Sequence, residues 1–195
     1  MKHVVLLGDS LRLHYQPIVA EQLGADISVY GPSENCRDSR TLLRHLDEWA
    51  LCRTADVVQV NCGLHDIRHD PGAAGPVVGL AEYRENLERI LSLLQARVTK
   101  RVIFATSTPI NEERHNANRP GRRYAVDIAA YNAVALEVTV QLGIVVNDLY
   151  RAVIGEGSDR LLKSDGVHFS EHGYRFLGVH VARAISSALQ RDCGS

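Results

Sequence analysis

A chain of 195 residues has room for one hydrophobic core, so a single domain spanning residues 1–195 is expected. Hydrophobic residues make up 45% and charged residues 23%, a globular balance that excludes disordered, collagen-like and low-complexity readings. The 22 Lys+Arg against 23 Asp+Glu leave a net charge of −1, so no general electrostatic grip on nucleic acid or an anionic membrane is expected. The apolar run Val4-Val5-Leu6-Leu7 is broken by Asp9 too soon for a signal peptide or a membrane span, and the expected location is the cytoplasm. Cys36, Cys52, Cys62 and Cys193 form no C-x-x-C pair, which points to reduced thiols rather than zinc ligands.

Short β-branched runs alternate with helical patterns. His3 to Leu7 reads as a buried strand. Leu11 to Leu23 reads as a helix with Leu11, Tyr15, Ile18, Val19 and Leu23 on one face, closed by Gly24. Ile27 to Tyr30 is a second strand, Ser39 to Ala50 a helix and Asp56 to Val60 a third strand. Asp70 to Gly79 is a Pro/Gly-rich loop, followed by an amphipathic helix from Leu80 to Val98 and a fourth strand from Arg101 to Ala105. Asn111 to Arg123 has no apolar period and reads as a polar loop. Tyr124 to Leu142 is a helix ending at Gly143, and Ile144 to Val146 is the fifth strand. Gly155 to Ser158 reads as a loop, and Ser170 caps a last helix through about Gln190.

This alternation predicts an α/β fold, a five-stranded parallel sheet with helices on both faces. Sites in such folds lie at the carboxyl ends of the strands. After the first strand comes Gly8-Asp9-Ser10, a turn that exposes a serine hydroxyl at a helix N-terminus, though serine there is also an ordinary cap. One glycine makes no phosphate loop, and neither G-x-G-x-x-G, G-x-x-x-x-G-K-[ST] nor G-x-S-x-G occurs. Asp165-Gly166-Val167-His168 precedes the last helix. Its spacing lets a carboxylate hold one imidazole nitrogen and leave the other free to take a serine proton. After the third strand, Asn61-Cys62-Gly63-Leu64-His65-Asp66 offers Asn and His donors for a developing oxyanion. His168 with His172 and Asp165, or His65-Asp66 with His69-Asp70, also admits a metal reading, but the pattern is short and no metal is expected.

Serine after strand one, a polar donor after strand three and Asp-x-x-His before the last helix occur in the block order of the SGNH (GDSL-type) hydrolase superfamily, which the chain resembles from end to end. The resemblance implies a flavodoxin-like three-layer α/β/α sandwich. It also implies a serine esterase acting through an acyl-enzyme on a small-molecule ester, often the O-acetyl group of a carbohydrate, without a cofactor. By resemblance Ser10 is the nucleophile, His168 the general base and Asp165 the orienting acid, with the Ser10 N–H in the oxyanion hole.

The sequence departs from the family in two places. The family's third block, Gly-x-Asn, is here Gly63-Leu64-His65, so His65 stands where an asparagine donor is expected, with Asn61 as the alternative. The second block has no glycine. Arg37 is matched to that position, Cys36 being the alternative, and a backbone N–H survives either change. Asp9, Asn35, Asn61 and Arg122 are further candidates for substrate contacts. The Asn111–Arg123 segment overhangs the site as a clamp for an anionic group or, on the favoured reading, as a solvated loop. Trp49 and Cys62 read as core, and Asn147-Asp148 as rim or cap. Lysophospholipase or thioesterase activity, or a non-catalytic ligand-binding role, are the competing functions. Composition gives no oligomeric state.

Overall fold

The computed structural model describes residues 1–191. Five parallel strands form one sheet: β1 (Lys2–Leu7), β2 (Ile27–Tyr30), β3 (Val57–Val60), β4 (Val102–Ala105) and β5 (Val145–Asn147), in the order β2-β1-β3-β4-β5. Val4 to Leu7, all of β3 and all of β4 are buried. That is why Val4–Leu7 and Val102–Ala105 read as continuous apolar runs rather than alternating ones, while β3 is broken by the buried Gln59, whose Oε1 accepts from Asn147 Nδ2 at 3.2 Å. The helices are α1 (Ser10–Leu23), α2 (Ser39–Arg44), α3 (Leu80–Arg97), α4 (Glu112–Asn118), α5 (Ala125–Leu142), α6 (Leu149–Glu156), α7 (Ser158–Leu161) and α8 (Glu171–Gln190). Helix α1 packs on α8, while α3 packs on α2 and α5, and these two groups flank the sheet. The expected three-layer α/β/α sandwich is the observed fold. Helix α5 is long and apolar enough to pass for a membrane span, but Ile128, Tyr131, Ala135 and Val138 sit in the core.

The winding of the sheet reverses between β1 and β3, which leave their common boundary in opposite directions. This is where an open α/β sheet forms a crevice. Asn61 Oδ1 lies 2.1 Å from where a Cβ on Gly8 would be, so a glycine is needed for the two strand ends to close.

Three segments differ from the sequence reading. The helix expected over Ser39 to Ala50 stops at Arg44 and gives way to a π-helical turn, Asp47–Leu51. The wider turn lets the consecutive residues Trp49, Ala50 and Leu51 all face the core, which a regular helical face does not allow. The polar segment Asn111–Arg123 contains α4, capped by Asn111 Oδ1 accepting from the Arg114 N–H at 3.0 Å. The expected loop at Gly155–Ser158 narrows to Gly157, which separates α6 from α7. Asp148 caps α6, Trp49 and Cys62 are buried as expected, and Cys193 lies outside the described residues.

Candidate active site

The site begins with a division of labour at the head of α1. Asp9, not Ser10, is the N-cap: its Oδ1 accepts from the Leu11 N–H at 2.9 Å. Ser10 is therefore the first helical residue, and its hydroxyl is free of capping duty. Ser10 Oγ lies 3.2 Å from His168 Nε2. The Ser10 N–H, one of the unpaired amides of the first helical turn, has no acceptor among the described residues.

Asp165 and His168 come from a turn tied to itself. Asp165 Oδ2 sits 2.7 Å from His168 Nδ1, and Oδ1 accepts from the backbone N–H groups of Val167 at 3.1 Å and His168 at 2.9 Å. Arg119 adds a bond to Oδ2 at 3.0 Å. Partial burial opposes the charge on Asp165, but the hydrogen bonds from His168, Val167 and Arg119 outweigh it and hold the carboxyl well below the usual carboxylate range. Gly166 has φ +74°, and a Cβ there would meet Asn111 O at 2.5 Å, so only glycine lets this turn press against the start of α4.

A cavity of about 380 Å³ opens at Ser10. Its wall carries Asp9, Ser10, Asn35, His65 and His168 from the expected set, together with Arg68, His115, Arg119 and Arg123. Neither ring nitrogen of His65 has a hydrogen-bond partner among the described residues. Burial lowers the His65 pKa against the pull of Asp9, and Arg123 and Arg68 add to the lowering, so the ring is neutral with one N–H to give. Asn61 is placed differently. It is buried beneath Gly8, accepts from the Tyr15 hydroxyl at 3.2 Å and is absent from the cavity wall.

Arg37 has φ +57°, the one non-glycine residue in the left-handed region among those described. A residue with a Cβ thus adopts the backbone that favours glycine, at the position matched to the second-block glycine. Its N–H donates to Asn35 Oδ1 at 2.8 Å, and the Cys36 N–H donates to Gly8 O at 3.1 Å. Both second-block amides are therefore engaged within the protein.

Arg122 is exposed and absent from the cavity wall; its backbone pairs with His69 instead. The arginines that do reach the cavity are its neighbours Arg119 and Arg123, with Arg68. Sequence reasoning weighed Arg119 and Arg123 as part of a clamp but favoured a solvated loop for that segment, and it missed Arg68 and His115. The signal was the position of residues 111–123 after β4, on the same sheet edge as Ser10. The residues that suggested metal binding have other partners. Asp66 Oδ1 accepts from the Ser39 N–H at 2.9 Å, His69 Nε2 faces Asp127 at 2.9 Å, Asp70 pairs with Arg68, and His172 is exposed on α8.

A hydroxyl, an imidazole and a carboxylate in series, beside a free helix-start amide, can pass a proton from oxygen to nitrogen while an oxyanion is held. The 2-1-3-4-5 sheet places this arrangement at the carboxyl ends of its strands, in a three-layer α/β/α fold. The chain belongs to the GDSL-like Lipase/Acylhydrolase family, whose family model matches residues 7–176, and it is a carboxylic ester hydrolase. A lipase/acylhydrolase from Enterococcus faecalis is 26% identical with a TM-score of 0.80, over 96% of each chain. A GDSL-like lipase from Bacteroides thetaiotaomicron is 20% identical with a TM-score of 0.75, over 96% of this chain and 89% of its own. An acetylxylan esterase from Geobacillus stearothermophilus is 19% identical with a TM-score of 0.76, over 97% of this chain and 94% of its own. No curated protein sequence matches the chain.

Proposed function

We propose that the protein is a serine esterase that removes a small acyl group, acetyl foremost, from a carbohydrate or related metabolite. The observation that carries this reading is the relay from Ser10 Oγ to His168 Nε2 at 3.2 Å and from His168 Nδ1 to Asp165 Oδ2 at 2.7 Å. Ser10 attacks the acyl carbonyl and His168 takes its proton. Asp165, ionised and fixed, orients the ring and stabilises the imidazolium. The ester C–O bond then breaks as His168 returns the proton to the leaving alcohol. Water deprotonated by His168 releases the acid from the acyl-enzyme. The Ser10 N–H and the neutral His65 ring hold the oxyanion.

A short acyl group is favoured because charged and imidazole side chains (Asp9, His65, Arg68, His115, Arg119, Arg123) share the wall with a small set of aliphatic ones. Its aliphatic residues are Leu11, Leu64, Val167, Pro71 and Pro120. Each buried methylene of a longer chain is worth about 0.8 kcal/mol, and a cavity of about 380 Å³ bounds how much chain can be seated. Acetylxylan esterases among the solved structures of this fold accord with acetyl removal. The test is hydrolysis of 4-nitrophenyl esters from two to eight acyl carbons, with fluorophosphonate labelling of the wild type and of Ser10→Ala. Highest kcat/KM for acetate and labelling lost in the variant are expected. A rise in kcat/KM toward octanoate would replace the acetylesterase reading with a lipase or thioesterase one.

A further inference from the structure

The three arginines on the cavity wall are not equivalent. Arg68 makes a two-point pair with Asp70, Nε to Oδ1 at 2.7 Å and the second amino group to Oδ2 at 3.2 Å. Arg119 pairs with Asp165 at 3.0 Å. Arg123 is the most deeply placed, 8% exposed, and no carboxylate of the described residues lies within ion-pair distance of it. The Arg123 side chain is nevertheless held still. Its Nε–H donates to Leu64 O at 2.5 Å, one terminal amino group donates to His115 Nε2 at 2.9 Å, and Asn116 brackets its backbone with two bonds of 2.9 Å. The other terminal amino group has no acceptor in the protein among the described residues.

A buried cation without a counter-charge is costly to maintain and attracts an anion strongly, because little water screens it. His115 does not neutralise it: burial and the Arg123 charge lower its pKa, so it accepts the bond as a neutral ring. Burial, reinforced by Arg68 and Arg119 and opposed by Asp9, pulls the Arg123 pKa down to about 10, which still leaves a full charge at neutral pH. A sugar hydroxyl could accept a hydrogen bond here but would bring no charge. A planar fork with free N–H groups suits a carboxylate or a phosphate.

We infer that the cavity recognises esters bearing a compact oxyanion, a carboxylate or a phosphate monoester, seated on the Arg123 guanidinium while Ser10 faces the ester carbonyl. This rests on the reading of Ser10 as nucleophile and narrows its substrate class.

The test uses two matched pairs of esters at low ionic strength. Mono-4-nitrophenyl succinate against 4-nitrophenyl butyrate carries a carboxylate on the acyl side. 2-Acetoxyethyl phosphate against 2-methoxyethyl acetate carries a phosphate on the alcohol side. The anionic member of at least one pair should lead in kcat/KM by about tenfold or more, and the pair that shows it identifies the anion. In Arg123→Gln the ratio should collapse to within about twofold, while Arg123→Lys, which keeps the charge and loses the fork, should retain part of it. Binding is read separately in Ser10→Ala. Sodium succinate or glycerol phosphate at about 10 mM should raise Tm above a chloride control of equal ionic strength, and adding Arg123→Gln should remove the rise. Turnover of 4-nitrophenyl acetate with no anion preference and no such rise would overturn this inference and leave the esterase reading intact. An Arg123-dependent rise without turnover of any ester would leave the anion site standing and overturn the esterase reading.

Discussion

The two sides of the Ser10 hydroxyl are built in opposite ways. On the proton-relay side, Asp165 and His168 belong to one four-residue turn. The carboxylate accepts from two backbone amides of that turn, from the imidazole and from Arg119. On the other side, the groups facing the cavity come from separate strand ends: Ser10 after β1, Asn35 after β2 and His65 after β3. There neither ring nitrogen of His65 has a hydrogen-bond partner among the described residues, and Arg37 occupies a backbone region suited to glycine. A locally closed turn carries its own geometry with it, so its residues cannot drift far in identity without losing the relay. A side assembled from separate loops can exchange the residue type that supplies a donor, provided an N–H still arrives.

The largest effect falls on the residue the two sides share. Ser10→Ala should lower ester turnover by about 10⁶, as loss of the nucleophile does in serine triads, with the circular dichroism spectrum unchanged. Next comes the relay side. Asp165→Asn should lower kcat by about 10⁴, because the amide favours the wrong tautomer of His168 while keeping the shape of the turn. Arg119 bonds the same oxygen as His168 but is largely exposed, so Arg119→Ala should cost far less than Asp165→Asn. Equal losses in the two variants would mean that the carboxylate acts through Arg119 rather than through the imidazole.

On the oxyanion side, His65→Ala should lower kcat by about 10²–10³ with little change in KM, and His65→Asn should recover part of it. Asn61→Ala should leave that ratio alone and show up as lost stability, since Asn61 is packed under Gly8 and bonded to Tyr15. The reverse pattern would move the donor from His65 to Asn61.

Much of this was legible in the sequence, and what was not has physical causes. The strands of a parallel sheet are buried on both faces, so Val4–Leu7 and Val102–Ala105 announce themselves as apolar runs, and Val57–Val60 as one interrupted only by Gln59. Asp-x-x-His was readable because its partners are neighbours in the chain. Helix α4 was not readable, because Glu112–Asn118 presents no apolar stripe. It is held by the Asn111 cap and by burial of His115 against Arg123, contacts that exist only once β4 has placed the segment over the cavity. The same cause hid Arg123 and put Arg122 in its place: adjacent residues in an irregular segment face opposite ways, and only the fold says which faces in.

Asp66 follows His65 and anchors the oxyanion side to α2 through the Ser39 N–H at 2.9 Å. Burial pushes its carboxyl up to about 6, against the lowering effect of the Ser39 bonds. With the unfolded value near ~4, the native state binds the extra proton between about pH 4 and pH 6. Stability from this group is therefore greatest at the acid end of that window and falls as pH rises through about 6. Asp66→Asn keeps an acceptor for Ser39 without the charge. It should stabilise the protein by up to about 2–3 kcal/mol above that window and flatten the fall, measured by urea unfolding at pH 5 and pH 8. An unchanged slope between the two pH values would place the titration elsewhere.

The smallest effect belongs to Arg37. A Cβ in the left-handed region costs roughly 1–2 kcal/mol, because it crowds the following carbonyl oxygen. Replacing it with glycine removes that strain but gives the unfolded chain more freedom to lose, a penalty of about 0.4–1 kcal/mol. The difference leaves Arg37→Gly a gain of about 0–1.6 kcal/mol. The Arg37 side chain is absent from the cavity wall, and the backbone N–H that meets Asn35 Oδ1 is common to both residues. Turnover of 4-nitrophenyl acetate should therefore change less than about threefold, in contrast to His65→Ala on the same side of the site. Asn35→Ala frees that N–H from its side-chain acceptor, so it reports on the backbone rather than the side chain. If kcat rises in Asn35→Ala while KM holds, the freed amide joins the Ser10 N–H and His65 as a third oxyanion donor. If kcat is flat in both variants, the oxyanion side works with two donors, and the second block serves to shape the wall beside Asn35.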